Sequence, residues 1–440
     1  MKKILLFGAG KSATSLIRYL IGVAAGRDWQ LVVAENNVSL AESKIGSASC
    51  ARAVRLTVEH EAERDALVED ADLVISLLPP ALHYLVALSC LKAKKSLLTA
   101  SYVDESIRAL EPAIREKGLL FLCEMGLDPG IDHMSALQMI GRIKAGGGRI
   151  LSFHSHTGGL VAPESDDNPW HYKISWNPRN VVLAGSAGAR YRENGEVVTR
   201  GYKDLFTTTN PLDLPGLLPL VWYPNRDSLP YIDLYKLETA DTFIRTTLRH
   251  PAFCRAWNAI VQAGLTDDQR KITVEGLQFW DWAAPLKPFI NRDNRMQLEA
   301  LGLFEKTAVP PQAQTSADIL QFLLEKLLVM RPNDKDMIVM QHEIGFVGGA
   351  GEHGTNGGEG RESNGGRRQV EKSTLIVKGE DSLHTAMART VGLPLGIAAK
   401  LILEGKIRLS GLHIPILPEI YDPVLAELEG EGIRFENTVG

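Results

Sequence analysis

The sequence predicts an α/β protein: a doubly wound parallel sheet at the N-terminus, then a second, α+β domain. Three observations predict it. Short apolar runs alternate with helical patterns through residues 1–134, the rhythm of parallel strands joined by crossover helices. A glycine pattern links the first run to the first helix. From about residue 135 that alternation stops, and aromatics, prolines and β-branched runs take over.

Lys3–Gly8 (KILLFG) is short and apolar, as a buried parallel strand should be. Gly8, Gly10 and Ala13 follow as G-x-G-x-x-A at the opening of a helix. Gly8 permits the tight turn, Gly10 lets the backbone approach a pyrophosphate, and Ala13 is small enough for close helix–sheet packing. Lys11, Ser12 and Ala13 begin the helix, whose free amides and dipole suit an anion. Placed between strand and helix, this pattern predicts a dinucleotide-binding Rossmann domain. The second strand, Trp29–Ala34, ends at Glu35. An acidic residue there can bind both ribose hydroxyls of NAD and would repel a 2'-phosphate. No arginine follows immediately in ENNVSLAESK, so NAD is favoured and NADP stays possible, with Lys44 the weaker phosphate partner.

Later units keep the rhythm. Ala53–Leu56 reads as a strand and Glu59–Val68 as a helix. Leu73–Leu78 is a strand stopped by Pro79-Pro80, which leaves Leu78 and Pro79 on a loop at the cofactor edge. A helix over Leu82–Leu91 and the strand Ser96–Thr99 come next, then the loop Ala100-Ser101-Tyr102. The strand Leu119–Cys123 runs into the turn that carries Asp128. Loops beyond the carboxyl ends of strands are where open α/β sheets place ligands. Ser101, Tyr102 and Asp128 can therefore face one crevice.

In the second domain, 135–391, Ile150–His156 alternates as a half-covered strand does. Val197–Gly201, Tyr231–Tyr235, Thr242–Leu248, Ile338–Phe346 and Glu371–Lys378 are further strand candidates, giving a largely antiparallel or mixed sheet. NPWHYKISWNPR (Asn168–Arg179) is either a ligand-stacking rim or an aromatic anchor. Residues 348–366 form a polar, glycine-rich loop. Ile319–Val329 is an amphipathic helix, and Ser382–Leu403 a helix interrupted near Gly392–Gly396. Residues 392–440 read as a terminal segment returning to the first domain.

The 440 residues carry a formal net charge of -5 and no basic stripe, which argues against nucleic acid as a partner. The apolar runs fall short of a membrane span, and no signal-like segment opens the chain, so a cytoplasmic location is expected. Cys50, Cys90, Cys123 and Cys254 are too scattered for a zinc knuckle or a disulfide framework. No metal is expected.

The chain resembles the saccharopine dehydrogenase family, specifically its L-glutamate-forming type. The resemblance is carried by TASYV (Thr99–Val103), EMGLDPGIDHM (Glu124–Met134), Ser152–Arg179, YPNRDS (Tyr223–Ser228), IRTTLR (Ile244–Arg249) and MIVMQHE (Met337–Glu343), and covers nearly the whole chain. It implies a Rossmann domain, a central substrate and dimerisation domain, and a homodimer. It also implies the reaction: saccharopine, NAD(P)+ and water give L-glutamate, 2-aminoadipate 6-semialdehyde and NAD(P)H. Asp128 is then the acid/base or amine-orienting residue. Tyr102, also a catalytic candidate, and Ser101 resemble the family's substrate pair, with Ser101 also at the cofactor. Arg226 resembles its carboxylate-binding arginine, a role suited to a planar guanidinium. Arg245, Thr246 and Thr247 lie on a strand bearing another substrate contact. Where relatives often read S-Y-C-G-G, this chain reads Ser155-His156-Thr157-Gly158-Gly159. His156 either takes over part of the thiol's catalytic role or simply packs or faces solvent. A lysine dehydrogenase or a carboxynorspermidine-type dehydrogenase is the alternative, although Arg226 favours an acidic substrate over a polyamine.

Overall fold

In the computed structural model, which describes residues 1–348 and 368–439, the chain divides into two compact units. Unit 1 comprises Met1–Met139 and Leu383–Arg434, and unit 2 comprises Ile140–Ser382 and Phe435–Gly440. Apart from Gly348, the glycine-rich loop 348–366 lies outside the described residues.

The apolar runs of unit 1 form β1 (Lys2–Phe7), β2 (Trp29–Glu35), β3 (Ala51–Arg55), β4 (Leu73–Ser76), β5 (Ser96–Thr99) and β6 (Leu120–Leu122). All pair in parallel, in the order β6-β5-β4-β1-β2-β3. This is the doubly wound Rossmann order. A seventh strand that the sequence did not reveal, Gly411–His413, adds in parallel to the outer edge of β6. β1 and β4 run through the centre, and their apolar side chains are buried, so both faces of the sheet need helices over them.

One such helix corrects the sequence reading twice. Ala386–Leu403 is a single helix with Pro394 inside it, uninterrupted at Gly392–Gly396. By length and composition it is apolar enough to cross a membrane, although 67% of it is buried within the fold. Gly392 and Gly396 are close-approach points for the helix Ala13–Ala25. A Cβ on Gly392 would lie 2.8 Å from the Leu16 nitrogen, and one on Gly396 2.6 Å from the Tyr19 ring. The glycines that looked like a break permit helix–helix contact instead.

Unit 2 holds a mixed sheet. Its strands are β7 (Arg149–Val161), β8 (Ala189–Glu193), β9 (Glu196–Arg200), β10 (Asn210–Leu212), β11 (Leu220–Pro224), β12 (Arg226–Asp227), β13 (Thr242–Arg249), β14 (Asp336–Val347) and β15 (Arg368–Lys378). The long path runs β10-β11-β13-β7-β14-β15, with Glu436–Val439 beyond β15. β13 pairs with β7 in parallel and β14 with β7 antiparallel. Tyr231–Tyr235 does not form a strand. Pro230–Leu234 is a helical turn with proline at its first position, where a missing N–H costs nothing. Of the two readings of Asn168–Arg179, the fold supports the anchor: Trp170 and Tyr172 are fully buried, packed with Phe253 and Trp257.

Candidate functional site

The glycine turn of unit 1 divides its roles as chemistry demands. Gly8 has φ +95°, and a Cβ there would lie 2.8 Å from the Leu77 carbonyl oxygen, so the fold itself requires glycine. Gly10 is different: a Cβ there would meet nothing within 4 Å. The space in front of Gly10 is open, and an approaching pyrophosphate explains glycine where packing does not. Ala13 is buried in the helix it starts. Lys11 is exposed and Ser12 half-buried beside the turn. The observed surface fits a dinucleotide.

Glu35 ends β2 with its carboxylate held by two backbone amides, Ala9 N–H at 2.8 Å and Asn37 N–H at 3.1 Å. It lines a cleft with Phe7, Thr57, Leu78 and Leu82, so Leu78 sits where expected, while Pro79 is exposed beyond it. Lys44 donates to the Gly10 carbonyl at 2.5 Å. Burial pushes its pKa down to about 8, and the nearby Glu35 carboxylate opposes that fall.

Two loops at the carboxyl edge of the sheet are knitted together by their backbones. Glu124 N–H donates to Ser101 O at 3.1 Å and Met125 N–H to Thr99 O at 3.0 Å. Beyond them Gly130 closes the turn. Its φ is +144°, and a Cβ would fall 2.1 Å from the Gly126 oxygen, so no side chain is tolerated there. This brings Tyr102 to Asp128, whose Oδ1 accepts from the phenol at 2.9 Å. Both side chains are half-buried.

Beneath them lies a polar layer in which Glu124 is the member that the sequence does not signal. Glu124 accepts from Val103 N–H at 3.2 Å and bonds His133 Nε2 at 2.8 Å. Asp132 accepts from Gly130 N–H at 2.6 Å. Glu124, Asp132 and His133 are all buried. A second layer joins Ser101 to Ser76 and His83, neither of which the sequence reading singled out. His83 Nδ1 lies 2.8 Å from Ser76 Oγ, and its Nε2 2.7 Å from Ser101 Oγ. Burial pushes the His83 pKa down to about 4, opposed by the Asp104 carboxylate. A histidine within LHYLVALS looks like helix filler, and only the strand ends that flank it give it a role.

In unit 2 the register separates residues that are adjacent in sequence. Arg245, Thr246 and Thr247 pair with Ser155, His156 and Thr157. Alternate residues share a face, so Arg245 and Thr247 lie on one side with Ser155 and Thr157. Thr246 and His156 lie on the other. His156 Nδ1 is 2.7 Å from Thr246 Oγ1. Burial, then the neighbouring imidazole of His154, pushes the His156 pKa down to about 3. On the opposite face the buried Thr157 hydroxyl makes no hydrogen bond, and the Arg245 guanidinium sits 4.4 Å over the Tyr231 ring. Arg226 is exposed, with φ +54°, a strained backbone for a non-glycine residue. Among the described residues no cluster of His, Cys, Asp or Glu could hold a metal.

Comparison with known proteins gives the context of these features. The family model described as saccharopine dehydrogenase NADP binding domain matches residues 4–122. That described as saccharopine dehydrogenase C-terminal domain matches residues 126–433. The chain is 34% identical to saccharopine dehydrogenase [NADP(+), L-glutamate-forming] of Saccharomyces cerevisiae, over 97% of each. It is 35% identical to the mitochondrial alpha-aminoadipic semialdehyde synthase of Mus musculus, over 99% of this chain and 47% of that longer protein. The apo saccharopine dehydrogenase (L-Glu forming) structure from Saccharomyces cerevisiae superposes with a TM-score of 0.85 at 32% identity, covering both chains fully. With both family models and a full-length relative matched, the chain belongs to the saccharopine dehydrogenase family.

Proposed function

We propose that this chain is an NAD(P)-dependent oxidoreductase interconverting saccharopine with L-glutamate and 2-aminoadipate 6-semialdehyde. The observation that carries this reading is the Tyr102–Asp128 hydrogen bond, 2.9 Å long at the carboxyl edge of the dinucleotide sheet. When bound, the nicotinamide supplies the hydride-accepting chemistry. The chain must then manage protons and carboxylates. Asp128 faces the substrate amine, taking its proton and later returning one to the departing amine. Tyr102 keeps that carboxylate oriented. Ser101 contacts substrate and cofactor. Arg226 grips a substrate carboxylate, and Arg245 and Thr247 contribute from their shared strand face, where the unpartnered Thr157 hydroxyl also lies. His156, buried and neutral, orients Thr246 and does not exchange protons with substrate. Assembly as a homodimer and a cytoplasmic location belong to the same proposal.

Turnover assays test it. The purified chain should reduce NAD or NADP with saccharopine and not with lysine or carboxynorspermidine. Turnover of another amine alone would sink the reading.

The hold on Glu35 favours NAD, because a carboxylate fixed at the ribose edge repels a 2'-phosphate. Glu35→Gln keeps an oxygen for the Ala9 amide but removes the charge. It is expected to shift the NAD-to-NADP ratio of kcat/KM toward NADP by about 10–100-fold, the worth of a charged hydrogen bond of about 1.5–3 kcal/mol. An unchanged ratio would discard the ribose assignment.

A further inference from the structure

His83 is the first residue of the helix His83–Ala93. Its ring lies against the paired ends of β4 and β5, where Ser76 and Thr99 are the last residues. We propose that His83 is a positioning residue: its imidazole, oriented by Ser76, fixes the Ser101 hydroxyl as a hydrogen-bond donor toward the bound ligand. This rests on the reading of Ser101 as a ligand contact given above.

The direction of the network follows from counting partners. A neutral imidazole has one N–H and one lone pair. Ser76 Oγ is fully buried, and among the described residues its one hydrogen-bond partner is His83 Nδ1. A buried hydroxyl with one partner does best by donating to it, because an orphaned donor is costlier than an under-used acceptor. Ser76 O–H therefore points at Nδ1, which holds the lone pair, and the proton resides on Nε2. Nε2–H then donates to Ser101 Oγ at 2.7 Å; Thr99 Oγ1, 3.4 Å from the same nitrogen, is too distant to set the tautomer, and the shorter contact takes the proton. Thr99 Oγ1 in turn accepts from Ser101 N–H at 3.2 Å, which pins the backbone of the same serine. With its oxygen already accepting from His83, Ser101 has its own O–H left to donate. An acceptor on the ligand, such as a carboxylate or carboxamide oxygen, is what it would meet.

The chain Ser76–His83–Ser101 orients a hydroxyl; it does not conduct protons. It ends at Ser76, which offers no onward partner among the described residues. The imidazole is itself only 4% exposed, so no proton leaves by this route. Of the charged groups, Asp104 is the carboxylate that acts on the ring.

Two measurements on the full chain test this. Long-range proton–nitrogen spectra of histidine-labelled protein without ligand should show His83 as the Nε2–H tautomer, and an Nδ1–H tautomer would overturn the proposal. This readout needs no turnover, so it decides the point even if saccharopine proves not to be the substrate. The second is a double-mutant cycle. Ser101→Ala is expected to weaken kcat/KM by about 10–100-fold, and His83→Ala to weaken the same parameter for the same ligand. The double variant should show no further loss, since His83 acts through Ser101. His83→Gln, whose amide N–H can still reach Ser101, should recover most of the loss. Additive effects would mean that His83 matters for structure alone. Should His83→Ala not fold, Ser76→Ala serves in its place. It should shift the tautomer and lower kcat/KM severalfold, and an unchanged tautomer and rate would again overturn the proposal.

Discussion

Asp128→Asn is expected to lower kcat/KM for saccharopine by about 10²–10⁴-fold, the usual worth of a positioned general acid–base. The substitution is close to isosteric, and the Asn carbonyl can still accept from Tyr102. What disappears is the charge and the capacity to hold a proton at the amine. The loss should fall mainly on kcat, because the carboxylate acts on the reacting amine while the carboxylate grips lie elsewhere. Cofactor affinity, measured by NAD(P)H fluorescence, should stay near that of the parent. Tyr102→Phe provides the scale. It removes the orienting bond and leaves the acid–base group, so a smaller loss is expected, on the order of tenfold. If Asp128→Asn keeps parental kcat, or if Tyr102→Phe is the more damaging of the two, Asp128 does not carry the proton transfer.

Much of this arrangement was legible because the sequence concentrates its signals at strand ends. The central strands read clearly as continuous apolar runs, since both faces are covered. Gly8 and Gly10 were readable as a pair, and the structure separates their reasons: one glycine is imposed by the Leu77 carbonyl, the other faces open space. The illegible parts depend on partners distant in sequence. Tyr231 and Tyr235 alternate like strand residues, yet they share one helical face, where Tyr235 stacks edge-on against Phe153 and Phe243. Pro230 was the missed signal. Gly392 and Gly396 looked like a helix break because nothing local announces that Leu16 and Tyr19 pack there. His83 gave no local sign either, since its role comes from β4 and β5 ending beside it. Arg245–Thr247 read as one cluster until the register of β13 against β7 set Thr246 and His156 on the opposite face.

His133→Ala should be strongly destabilising, at about 3–5 kcal/mol, the range for stranding a buried charged partner. The imidazole is fully buried and bonds Glu124 Oε2 at 2.8 Å, with Asp132 Oδ2 3.7 Å from its other nitrogen. Removing it leaves two buried carboxylates without their common neighbour and opens a void. Glu124 has φ +58°, a left-handed conformation that costs an ordinary residue about 1–3 kcal/mol and persists only where its surroundings enforce it. The hold of Glu124 on Val103 N–H and on His133 helps to enforce it, together with the bond from its own N–H to Ser101 O. The effect should therefore reach activity as well as stability, because Glu124 ties the Tyr102 loop to the Asp128 turn. Urea unfolding measures the first and kcat/KM at a temperature well below the transition the second. Glu124→Gln should be milder on both, since it deletes the charge but keeps hydrogen-bonding atoms in place. A His133→Ala loss below about 1 kcal/mol, the scale of an exposed ion pair, would mean that the knitted backbone alone holds the two loops. The buried layer would then be dispensable to the Tyr102–Asp128 geometry.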